Sequence, residues 1–157
     1  MPIGWLIPLL VLLPNALMVR FPPRDKPQDA PDAPRPLIRL LEVLERLGQV
    51  GVFVIPCFYR VRVQGVVAVV SLVVMALALG CYYAGWLRYV RQGCRYALLF
   101  APMWGIPLSL AVSPVVYFAA AAALLRSWPL AMATLALAIG HIAVSERERR
   151  KTVNVTL

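Results

Sequence analysis

Apolar residues fill five long stretches of this chain, and most charged residues lie in the short segments between them. The stretches cover residues 3–19, 37–59, 63–87, 97–125 and 128–144, each near or beyond the length that carries a helix across a bilayer. The pattern predicts an all-α fold: a polytopic transmembrane helix bundle of five spans in a single domain, residues 1–157. Pro8 and Pro14 interrupt the first stretch. Pro102, Pro107 and Pro114 should kink or break the fourth, or turn it back as a re-entrant segment, and neighbouring helices must then satisfy the freed carbonyls. Ser127 is placed to cap the fifth span, with Pro129 in its first turn.

The segments between spans set the orientation. Residues 20–36 hold six prolines among Arg, Lys and Asp, which predicts an extended, solvated connector. Arg60 and Arg62 flank a tight turn, Arg88, Arg91 and Arg95 fill a basic loop, and residues 145–157 form a basic tail. Five spans with the N-terminus outside and the C-terminus cytoplasmic put the connector, the loop and the tail inside. Only Arg60, Arg62 and Arg126 then remain outside. A surface-lying helix in place of the second span would throw the whole connector outside, against that rule.

The second span carries the unusual chemistry: Glu42, Glu45, Arg46 and Gln49 lie in its first half. Each ionisable group at bilayer depth costs about 2.5–3.5 kcal/mol on insertion scales, so these groups must face protein, each other or water. Glu42, Glu45 and Gln49 share a helical face that should point into the bundle, and Glu42 is spaced to pair with Arg46.

Composition narrows the class. At 61% hydrophobic residues the chain is far richer in them than a globular domain, which points to lipid as its solvent. The net charge of +9 sits where topology signals belong, so nucleic acid is not an expected partner. Cys57, Cys81 and Cys94 have no metal-like spacing, and a single histidine allows neither a paired-histidine zinc motif nor a credible serine or cysteine triad. No phosphate-cradling loop, cofactor or metal is expected. The first stretch reads as a permanent span in an integral membrane protein, with a bacterial-type cytoplasmic membrane as its expected place.

At 1.5 Å rise per residue, all five spans contribute polar residues to the cytoplasmic half, and the outer half holds few beyond Gln64, Ser71, Ser113 and Tyr117. Asn15 ends the first span, Tyr82, Tyr83 and Trp86 the third, and His141 the fifth, while Trp104 lies in the fourth. This convergence predicts a cytoplasm-facing cavity for an amphipathic lipid, quinone or isoprenoid-like molecule. Glu45 would serve as general acid or base and His141 as its proton partner. Asn15, Glu42, Arg46, Gln49, Tyr82, Tyr83, Trp86 and Trp104 would contact the ligand. Two other classes stay open: a scaffold whose polar groups only lock helices, and a small oligomeric transport subunit for protons or cations. Ala76, Gly80 and Ala84 in the third span, and Ala136 with Gly140 in the fifth, should be helix contacts, the first set with a homodimer seam as its alternative.

Overall fold

The computed structural model describes residues 3–26 and 36–155. Residues 27–35 of the proline-rich connector lie outside the described residues, as do 1–2 and 156–157. Among the described residues the fold is all-α, with two isolated bridges and no strand.

Pro14 ends the regular part of the first stretch, leaving α1 (Leu6–Asn15) and a single further turn, α2 (Leu17–Arg20). The charged stretch forms α3 (Pro36–Val54), which passes into a 3-10 turn over Ile55–Phe58 at Pro56. With no proline to interrupt it, α4 (Gly65–Arg91) runs for 27 residues. It stops where Gly93 and Cys94 take left-handed φ values of 83° and 58°.

The apolar run 97–125 divides. Tyr96–Phe100 make a 3-10 turn, residues 101–108 are irregular, and α5 spans Ser109–Leu125. Pro102 and Pro107 have no N–H to give a helical ladder. Between them Met103 and Ile106 exchange both backbone hydrogen bonds across Trp104 and Gly105. Both central residues have positive φ, as a tight primed turn requires. Ser127 Oγ accepts from Leu130 N and starts α6 (Trp128–Val155). That helix continues through the charged tail because Glu146 pairs with Arg149 and Arg150, and Glu148 with Lys151, at helical spacing.

Close backbone approach fixes the layout. A Cβ on Gly48 would lie 2.4 Å from Leu137 N, and one on Gly140 2.4 Å from Glu45 N. The reciprocal contacts make α3 and α6 antiparallel neighbours that nearly touch. Likewise Gly85 near the end of α4 meets Leu110 at the start of α5. At one end of the bundle, Arg24 pairs with the chain at Cys94 and Tyr96, and the Tyr96 hydroxyl donates to Glu148. At the other, Gly4 packs on the carbonyls of Pro56 and Tyr59. Five helical segments therefore alternate between two ends. One end carries Arg20, Arg24, Arg88, Arg91, Arg95 and the basic tail; the other carries Arg60, Arg62 and Arg126.

Tyrosines strap the broken first segment to the rest. Pro14 cannot donate to the Leu10 carbonyl, and Tyr83 Oη does so instead at 2.8 Å. Tyr117 Oη donates to Ile7 O and Tyr89 Oη to Phe21 O. Tyr83→Phe should therefore cost on the order of 1 kcal/mol, read as a lower unfolding midpoint in detergent. An unchanged midpoint would show that the freed carbonyl has another partner.

The outward faces are apolar. Leu40, Val43, Leu47, Val50 and Val54 form an exposed stripe on α3, directly opposite Gly48 and Val52, which are buried. Val66, Val70, Val73 and Leu77 do the same on α4, and Met132, Leu135 and Ile139 on α6. Two helices, α4 and α6, are long and apolar enough to cross a membrane, and α1–α2 and α5 are shorter apolar segments. Ala76 and Gly80 lie on the exposed side of α4, with nothing within 4 Å of a Cβ on Gly80. The close helix contact expected there is made instead by Gly48 and Gly140.

Candidate functional site

Where α3, α4 and α6 meet the break before α5, a cavity of about 300 Å³ lies in the half of the bundle nearer the basic end. Its polar lining comes from Asn15, Gln49, Tyr82, Trp86, His141 and Ser145, one or two from each of four helices. The remaining wall is apolar: Val11, Val52, Phe53, Leu99, Leu110 and Phe118 among others. A few polar groups on an apolar wall are the usual make-up of a site for an amphipathic ligand.

Helical spacing places the polar groups. Tyr82, Trp86 and Tyr89 recur on the inner face of α4, stacked edge to face with centroids 6.2 Å and 5.5 Å apart. Tyr82 Oη donates to Asn15 Oδ1, so the amide at the end of α1 is held by α4. On α3, Glu45 and Gln49 are four residues apart, and Gln49 Nε2 donates weakly to Glu45 Oε1 at 3.4 Å. The same oxygen lies 2.6 Å from His141 Nδ1. With Glu45 ionised, that contact is an Nδ1–H donating to carboxylate, which leaves Nε2 as the free ring nitrogen. The pair is largely enclosed, with 16% of the Glu45 side chain and 28% of the His141 side chain exposed.

Trp86 is the exception to this satisfaction. It is only 4% exposed and lines the cavity, and its Nε1–H makes no well-formed hydrogen bond among the described residues, with only the Tyr82 hydroxyl interacting with it. A buried donor left unpaired costs about 1–3 kcal/mol.

Sequence reasoning named ten residues, and the fold sorts them. Asn15, Gln49, Tyr82, Trp86 and His141 line the cavity. Glu45 stands one hydrogen bond behind the wall and reaches the cavity through His141 and, more weakly, Gln49. Tyr83 is spent on the Leu10 carbonyl, and Trp104 sits 72% exposed at its turn, because the prolines on either side take it out of a helix. Glu42 and Arg46 do not line the cavity, and no bond joins them among the described residues. Arg46 is exposed, being one residue and so about 100° around the helix from Glu45.

Ser145 lines the cavity as well, and so do Leu99, Phe100, Leu110 and Pro114, which the sequence pattern did not single out as lining residues. The signal for the last four was present: prolines at 102 and 107 force the chain to turn, which brings residues 99–100 and 110–114 round one space. Among the described residues, no three His, Cys, Asp or Glu side chains gather in a way that would hold a metal. Compared with known protein families, characterised proteins and solved structures, the chain matches none of them.

Proposed function

We propose that this chain is a multi-pass membrane protein, crossing a cytoplasmic membrane five times with its N-terminus outside, whose cavity binds an amphipathic small molecule. Support for the membrane part comes from inverted polarity: leucine and valine stripes face outward while Glu45, Gln49 and His141 face inward. The distribution of arginines between the two ends agrees with a cytoplasmic basic end.

The observation that carries the binding proposal is the apolar-walled cavity with Trp86 Nε1–H on its lining, a buried donor without a well-formed hydrogen bond. A carbonyl, ether or hydroxyl oxygen from a quinone, isoprenoid or lipid would accept from it, while the apolar wall took the hydrocarbon part. If the ligand is transformed, His141 is the group able to touch it and move a proton at Nε2. Glu45 then acts as a positioning residue, holding the tautomer from behind.

Trp86→Phe keeps the aromatic body and removes the donor. Native mass spectrometry of gently extracted protein should find one small amphiphile on the wild type, with retention reduced about tenfold in the variant. Added decylubiquinone or farnesol should raise the wild-type unfolding midpoint more than the variant's. A wild-type protein that carries nothing and responds to neither probe would remove the binding role. The second reading is then the scaffold, favoured by the place of the Glu45–His141 pair at the close backbone crossing of α3 and α6.

A further inference from the structure

At the opposite end of the bundle is a second recess, of about 210 Å³, edged by Arg60, Arg62, Gln64 and Arg126. None of the three guanidinium groups has a hydrogen bond or ion pair among the described residues. The sequence explains why no partner is at hand: there is no Asp or Glu anywhere between Glu45 and Glu146. The described acids, Asp25, Glu42, Glu45, Glu146 and Glu148, all belong to the basic end. Three like charges share one recess without a counter-charge among the described residues.

Two backbone features add to this field. Val67 and Ala68, in the first turn of α4, line the recess, and that helix begins without a side-chain cap on its free N–H groups. A helix N-terminus carries partial positive charge. Arg126 closes α5 at φ 50°, a conformation in which glycine is unstrained, and the chain places a guanidinium there. Independent snorkelling would let each arginine spread into its own water. Here all three arginines, exposed as they are, line one recess together with the helix terminus.

We infer that this recess is an anion site for a phosphate group, held by Arg60, Arg62 and Arg126 with the first turn of α4. Arginine favours phosphate because its planar fork gives paired, charge-assisted hydrogen bonds. The phosphate has two sources, the head group of a phospholipid in the facing leaflet or a free phosphate ion, and the chemistry at the recess is the same for both. The site is separate from the cavity and stands whether or not that cavity binds a ligand.

The test uses the full chain in two settings. In nanodiscs of phosphatidylcholine with a minority of phosphatidylglycerol, native mass spectrometry after detergent release should find phosphatidylglycerol retained by the wild type. In a neutral detergent without lipid, inorganic phosphate should raise the unfolding midpoint if the free ion is the ligand. Either result supports the site, and which one occurs names the source. Arg126→Gln should weaken retention or shift by about tenfold, and Arg60→Gln with Arg62→Gln and Arg126→Gln should abolish it. Arg91→Gln, at the other end, should leave it unchanged, and circular dichroism confirms that each variant is folded. A wild type with neither effect, or a folded triple variant that behaves as the wild type, overturns the proposal.

Discussion

Gly140→Ala is expected to destabilise the fold by about 3 kcal/mol, because the added methyl group would fall 2.4–2.7 Å from backbone and Cβ atoms of Glu45. No rotamer change relieves a clash with backbone, so α3 and α6 must move apart along their shared seam. For a chain of this size, that corresponds to a midpoint lower by roughly 10 °C in detergent. Gly48→Ala should behave alike, since its methyl group would meet Leu137 N and Cα. Gly80→Ala supplies the contrast: nothing lies within 4 Å, so the gain in helix propensity leaves stability level or slightly raised. Thermal scans of the three variants check the packing directly. Equal midpoints for Gly140→Ala and Gly80→Ala would mean that α3 and α6 do not cross as described.

That contrast shows what sequence patterning reveals and what it leaves hidden. Ala76, Gly80 and Ala84 have the same four-residue spacing as Ala136 and Gly140, yet Gly140 meets a neighbouring backbone and Gly80 does not. Spacing marks a smooth face; it does not say which helix will come to it, because that depends on pairing between segments nearly a hundred residues apart. The polar convergence was legible for a different reason. Helical periodicity and alternating direction together fix the end of the bundle at which Asn15, Gln49, Tyr82, Trp86 and His141 lie. Which of them face each other is a matter of rotation about the helix axis. Glu45 accordingly meets His141, ninety-six residues away, while Glu42 makes no pair with Arg46 among the described residues. The prolines at 102 and 107 were readable as a break, but the two-residue reversal that exposes Trp104 depends on Gly105 taking positive φ.

Leucine at Glu45 should cost about 2 kcal/mol, and so should leucine at His141, because each change strands the remaining polar partner between α3 and α6. The double variant should lose less than the sum of the two. The coupling of about 1–2 kcal/mol measures the 2.6 Å bond itself. Glu45→Gln should be milder than Glu45→Leu, since an amide oxygen still accepts from Nδ1–H. Equilibrium unfolding in detergent gives all four values, and strictly additive losses would show that the pair is not formed. The same variants separate a lock from a site. If the pair only fastens two helices, the double leucine variant regains stability and keeps whatever amphiphile the wild type carries. If His141 meets the ligand, the stable double variant loses that amphiphile, and Glu45→Gln disturbs it less than His141→Leu because Glu45 stands behind the cavity wall. Retention in the double variant together with loss in Trp86→Phe would place the ligand against α4 alone and leave the Glu45–His141 pair a purely structural clasp.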